Sequence, residues 1–389
     1  MTATGIEPII LRAGAGAATL RLATPDDNAA RCDLFGRVSM ESDVSLSVRR
    51  EPDFDALYRL QSPCWESYVI ELDGRVEGTG TILVRDGYLG GERRRVGYLG
   101  DLRFSPRVEG RSLLDRFYGP LLAHAREAYG CELFLTTVIT SNVRALRALT
   151  ELTARSRGRG RPRYAPVGDF DIRSIHLLLP KRRDRSGLLV RRANADDVPS
   201  IAALLDADAR ARPFGYPCSV AELERRLHEW PRLGIDSFFL AFEPSGELVG
   251  CVALWDARSV KRMIVNAYRG PMRRARLAYD VAARVLGVSR LPVPGQAFEY
   301  AYLTHQAVPS GDPRVLRALL TTAYRDARAQ RSYHFLSACA PFCCPLGAAY
   351  RGFQVTNLRA RLFVVALPDV EVPDVALRGA WPGFEMALV

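Results

Sequence analysis

Apolar residues recur along this chain in two rhythms. One repeats every second position over short runs and predicts strands; the other repeats every third or fourth position and predicts amphipathic helices. From Leu20, "LRLATPDDNAARCDLF" reads as a strand, an Asp-Asp helix start and an amphipathic helix. From Ser67, "SYVIELDGRVEGTGTILV" reads as two strands joined by a tight turn at Gly74, with Gly78 in the second strand. "GYLGDLRF" continues as a strand, a long amphipathic helix follows, and "CELFLTTV" predicts the next strand.

The same order then returns. "VRRANADDVPSIAALL" from Val190 echoes the first segment and "SFFLAFEPSGELVGCVAL" from Ser237 echoes the second, with Gly246 and Gly250 at the matching places. "AYLTHQAV" answers "GYLGDLRF", and "SYHFLSAC" answers "CELFLTTV". Two β-α-β-β-β-α-β copies about 170 residues apart predict an α/β protein, each copy a central mixed sheet flanked by helices. The expected divisions are a loose leader over 1–19, a first domain over 20–180, a linker over 181–188 and a second domain over 189–389.

The join, "TARSRGRGRPRYAPVGDF", reads as solvated linker, because no aromatic residues interleave its charges as a single-strand nucleic-acid surface requires. Nucleic acid is therefore not an expected partner. The second copy carries an insertion over 257–296 whose helix places Leu277, Val281 and Val285 on one face, with Arg273, Arg274, Arg276 and Arg284 elsewhere. A packed lid, a membrane-surface helix and an acyl-chain cover all suit that pattern.

Composition narrows the class. The 389 residues are 48% hydrophobic, enough for two cores, and no run of about 18 apolar residues is present to span a membrane. The net charge of +11 is almost wholly arginine and favours acidic partners. Eight cysteines form no Cys-x-x-Cys pair, and Cys339, Cys343 and Cys344 have no second ligand cluster, so neither disulfides nor a metal is expected and a reducing cytoplasm is. There is no Gly-x-Ser-x-Gly elbow, Walker loop or zinc-protease helix, which removes the corresponding hydrolase and ATPase readings.

The remaining chemistry gathers at "DLRFSPRVEGRSLLDRFYGPLL", Asp101 to Leu122, a strand that turns into a helix through Pro106, Arg107, Gly110 and Arg111. Such a corner offers backbone N–H donors and the positive end of a helix dipole to a phosphate. On element order and these fragments, each half resembles the GNAT superfamily of N-acyltransferases, which carry acyl groups from acyl-CoA to amines. The resemblance covers most of residues 20–368.

It implies that Leu102, Arg103, Phe104 and Pro106 end the family's fourth strand. Glu109, Gly110, Arg111, Ser112, Leu113 and Leu114 would then form the pyrophosphate loop; a shifted register uses Arg107, Gly110 and Ser112. Asn142, in "SNVRAL", matches the asparagine that touches the pantetheine arm, while Leu149 stands where the family often has an acidic tyrosine. In the second copy "PSGDPRVL" replaces the loop, with Asp312 and Pro313 in place of donors. For proton transfer the resemblance points to Asp101, which alternation sets on the face opposite Leu102 and Phe104, and to Tyr98, on their face. His305 holds the position of Asp101 in the second copy.

The implied activity is transfer of an acyl group, acetyl foremost, from acyl-CoA to an amine. A catalytically inactive binding module and an acyl carrier protein as donor are the alternatives; Arg107, Arg111, Arg116 and Arg126 would suit the acidic surface of a carrier protein.

Overall fold

A computed structural model describes residues 6–13, 16–38, 43–108, 113–150, 161–342, 344–378 and 380–389. The first copy contributes strands β1 (Ile9–Ala13), β2 (Gly16–Leu22), β3 (Val44–Arg49), β4 (Cys64–Leu72), β5 (Arg75–Leu89), β6 (Glu92–Phe104), β7 (Phe134–Ile139) and β8 (Arg163–His176). Its helices are α1 (Asn28–Arg37), α2 (Ala56–Gln61), α3 (Leu113–Tyr129) and α4 (Val143–Thr150). The second contributes β9 (Leu189–Arg192), β10 (Phe238–Phe242), β11 (Leu248–Trp255), β12 (Arg262–Tyr268), β13 (Tyr300–Ala307), β14 (Phe335–Pro341) and β15 (Val355–Ala366). With them come α5 (Val198–Arg210), α6 (Val220–Glu229), α7 (Pro271–Leu286), α8 (Pro313–Gln330) and α9 (Asp374–Arg378).

The repeat seen in the sequence is reproduced down to single contacts. After β2, Asp27 accepts from the Thr24 N–H and pairs with Arg21 at 2.7 Å; after β9, Asp197 accepts from the Asn194 N–H and pairs with Arg191 at 2.7 Å. Each aspartate closes the turn that starts its helix.

The two copies share one 13-stranded sheet in the order β1-β2-β4-β5-β6-β7-β15-β8-β14-β13-β11-β10-β9. Their last strands are exchanged. β15 lies beside β7, and its Leu362, Val364 and Val365 join the core built from Leu121, Leu122 and Phe134. β8 lies beside β14, and its Ile175 joins the core under α8 with Leu316, Leu319 and Tyr324. β8 and β15 also pair with each other along their whole lengths.

This exchange crosses the expected boundaries at 180 and 189, and the stretch read as linker holds half of a central strand. Pro166 and Gly168 disguised it. Proline cannot donate to a ladder and is tolerated where pairing slips, and the register shifts here, with Leu362 opposite Gly168 and Phe363 opposite Pro166. Within the expected leader, residues 9–13 and 16–19 are not loose, since β1 pairs with β2 and β2 with β4, which extends the sheet.

The insertion contains a strand as well as its helix: β12 pairs with β3 of the first copy and ties the halves together a second time. No helix among the described residues is long and apolar enough to cross a membrane.

Candidate functional site

Two parallel strand pairs part company at equivalent places. β6 and β7 are joined only at Gly97–Phe134 and Tyr98–Leu135, and β13 and β14 from Tyr300–Phe335 to Tyr302–Ser337. Beyond those pairs the strands of each copy are no longer joined in a backbone ladder, and a cleft opens between them. Three residues past the last shared pairs, both β6 and β13 bulge. Two residues, Asp101 and Leu102, oppose one on β5, and His305 and Gln306 oppose one on β11. Asp101 and His305 take φ values of +53° and +48°, in the left-handed region where a side chain is strained.

The equivalence of Asp101 and His305 read from sequence therefore holds in the backbone. The bulge shifts the register of β6 by one residue, and Asp101 reaches Arg50 and Tyr58 while Leu102 and Phe104 pack against the first core.

Asp101 is committed to an ion pair. Its carboxylate receives Arg50 Nη2 at 2.6 Å and the Tyr58 hydroxyl. Burial alone would raise its pKa, but the Arg50 charge and the Tyr58 hydrogen bond hold it below the ordinary carboxylate range. A carboxylate so stabilised is a weak base. Nε and Nη1 of Arg50 have no hydrogen-bond partner among the described residues. Tyr98 shares a hydrogen bond of 3.0 Å with Thr137 across the first cleft, and burial pushes its hydroxyl pKa upward.

The expected cofactor residues divide three ways. Leu102 and Phe104 pack against the first core, and Arg103 turns to the Val38 carbonyl and the Phe35 ring. Arg107 is held by Glu77 at 2.8 Å and Asp73 at 2.7 Å. Asn142 spends its side-chain oxygen on the Ala145 N–H, capping α4. Glu109, Gly110, Arg111 and Ser112 lie outside the described residues, as do the side chains of Leu113, Leu114 and Arg116. In the second copy Asp312 caps α8 through the Arg314 N–H at 2.7 Å and pairs with the Arg314 guanidinium, so its own carboxylate takes the place an anion would need.

A pocket of about 140 Å³ lies in the second cleft. His305, Thr304, Cys339 and Pro341 supply one wall, Arg226 and Trp230 another, and the tail residues Trp381, Phe384 and Glu385 a third. Asp101 and Tyr98 are not among its walls. His305 sits between Trp230 and Phe238, ring centroids 5.2 and 5.3 Å away, and its Nε2 has no partner among the described residues. Burial, reinforced by Arg226, drives its pKa well below the usual histidine value, so the ring is neutral.

Glu385 accepts from the His305 N–H at 3.3 Å and the Ala387 N–H at 3.2 Å, and burial raises its pKa above the ordinary range. The sequence reading missed it. Its one signal is an acid within the apolar tail "WPGFEMALV", which the repeat does not account for. Phe384, next to it, lines the pocket and also reaches toward the first cleft: its ring lies 6.2 Å from Tyr98 and 5.4 Å from Phe170.

Residues 15–153 match the acetyltransferase (GNAT) family. No curated protein matches the chain. Among solved structures, the chain is similar to Saccharomyces cerevisiae N-myristoyltransferase with bound myristoyl-CoA, at 11% identity and a TM-score of 0.58 over 97% of this chain and 90% of that one. It is also similar to a GCN5-related N-acetyltransferase from Sphaerobacter thermophilus, at 16% identity and a TM-score of 0.56 over 91% of this chain and 98% of that one. Both likenesses are of fold, and the fold of this chain is a tandem GNAT fold.

Proposed function

We propose that this tandem GNAT-fold chain is an N-acyltransferase that takes an acyl group, acetyl in the simplest case, from acyl-CoA and passes it to an amine. The donor is assigned to the first copy, at the corner between β6 and α3, and the acceptor to the cavity of the second. Asp312 supports this division, since it closes the helix start that would otherwise offer the second copy a diphosphate site.

The carrying observation is the place of Phe384 and Glu385. One aromatic ring stands between Tyr98 of the first cleft and the second-copy cavity, with a proton-accepting carboxylate adjacent. Acyl-CoA supplies an activated carbonyl. On this reading the free edge of β6, residues 99–104, offers N–H groups to that carbonyl oxygen. The attacking amine must be neutral, and Glu385, poised by burial, accepts the proton released as the C–N bond forms; the C–S bond then breaks with its electron pair on sulfur, and the coenzyme A thiolate takes a proton from solvent. His305 lines the same cavity as a neutral ring and orients the amine. The cytoplasm supplies acyl-CoA and keeps the cavity thiols Cys339 and Cys344 reduced.

A second reading, a binding module without transfer, is favoured by the commitment of Asp101 to Arg50 and Tyr58. A carrier-protein donor is the variant in which acyl-CoA fails to bind but transfer persists. Thermal-shift titration with CoA, acetyl-CoA and a long-chain acyl-CoA tests the assignment. We expect a rise with at least one acyl-CoA that Gly110→Pro abolishes; a rise unchanged in Gly110→Pro moves the donor elsewhere, and a flat response to all three removes it.

A further inference from the structure

Helix α7 turns its apolar stripe outward. Leu277, Val281 and Val285 are 60, 62 and 82% exposed. The opposite side of the helix does the packing: Ala283 is buried, Arg276 lies over the Tyr268 ring at 5.4 Å, and Tyr279 meets His176 at 6.3 Å. A helix on a globular surface ordinarily buries its aliphatic stripe and exposes its polar one. Single exposed aliphatics are common, but three in register along two turns call for an occupant.

The charges around the stripe indicate what that occupant is. Arg273, Arg274 and Arg284 are exposed, and the structure gives them no ion-pair partner among the described residues. Asp280, the one carboxylate on α7, is already engaged by Arg276 at 3.4 Å and by the Leu291 N–H at 3.1 Å. The cationic surface extends beyond the helix. Arg328 Nη2 donates to both the Leu286 and Leu178 carbonyls at 3.4 Å, which brings the end of α7 to the segment leading into Lys181, Arg182, Arg183 and Arg185.

We infer that α7 docks on an anionic lipid surface, its aliphatic stripe entering the boundary of the acyl chains and its arginines meeting headgroup phosphates. Aliphatic residues outermost with guanidinium groups beside them is the arrangement of an interfacial helix. A second copy of the chain is a poor alternative. Self-association through the stripe would set Arg273, Arg274 and Arg284 of the two copies against each other, while Asp280, the carboxylate on α7, is already engaged.

The test is flotation of the full chain with vesicles of phosphatidylcholine alone and of phosphatidylcholine mixed with phosphatidylglycerol. Binding is expected to the anionic vesicles only, and to weaken with salt. Combining Arg273→Gln, Arg274→Gln and Arg284→Gln should lower affinity about a hundredfold. Val281→Asp with Val285→Asp should abolish binding at every salt concentration. Unchanged thermal unfolding of both variants, whose altered side chains are exposed, separates lost docking from lost folding. Binding to neither vesicle, or binding that the variants leave intact, overturns the inference. A concentration-dependent dimer that Val281→Asp dissociates overturns it in favour of a second copy. Flotation needs no acyl transfer, so its outcome is independent of the proposed activity.

Discussion

Asp101→Asn removes one charge from a nearly dry ion pair while leaving its shape. Arg50 is 1% exposed and Asp101 14% exposed. Removing one member of such a pair costs about 3–5 kcal/mol, because the other charge stays buried without compensation. The lower end applies here. Asparagine keeps an oxygen for Tyr58 and Arg50, and Arg50 also lies 5.6 and 5.5 Å from the rings of Phe54 and Tyr58. We therefore expect a loss of about 3 kcal/mol by equilibrium urea unfolding at neutral pH.

Adding Arg50→Met removes the stranded cation and should bring the double variant to within about 1 kcal/mol of the wild type. Acid dependence gives the same answer independently. The folded pKa of Asp101 lies below its unfolded one, so its contribution is complete above about pH 3.9 and is lost as pH falls through the depressed value. The wild type should lose more stability on acidification than Asp101→Asn. A loss under about 1 kcal/mol, or single-variant effects that simply add, would refute the ion-pair reasoning. If the carboxylate only supports the fold, the folded fraction of Asp101→Asn should also keep the wild-type pH profile of transfer.

Four further outcomes are expected. Glu385→Gln should lower kcat about a hundredfold with the KM for acyl-CoA unchanged, followed by release of free thiol. In the wild type, the acid limb of kcat should fall above the ordinary glutamate value of about 4.3, because burial raises the pKa of the base. Phe384→Ala should cost about 2 kcal/mol through lost contacts with Tyr98 and Phe170 and should increase thiol release in the absence of amine, since the ring between Tyr98 and the pocket is gone. A fragment of residues 1–187 should aggregate alone, and recover as a one-to-one complex in size-exclusion chromatography when refolded with residues 188–389, because each fragment holds the strand that completes the other.

What the sequence revealed was local and repeated. The Asp-Asp helix starts, the paired strands after Ser67 and Ser237, and the match of Asp101 with His305 were all legible, because each depends on neighbours a few residues away or on comparison of one copy with the other. What stayed hidden was long-range. β8 and β15 both carry strand-like runs, yet nothing in either segment states which edge it will join. Periodicity placed Leu277, Val281 and Val285 on a common face without saying what that face would meet. Glu385 lay in a tail outside the repeat, and only the fold brings it to His305.

The exchanged strands also govern how the protein can be made. A ribosome delivers β7 long before β15, and the residues between them take roughly 10 to 40 seconds to synthesise. Through that interval the open side of β7 is a ladder of unanswered amides and carbonyls, ready to recruit a stray strand from any neighbour. A product broken off before Val355 never loses that exposure, whereas a chain carried past Ala366 latches it from within. The last long strand to emerge is thus a seal.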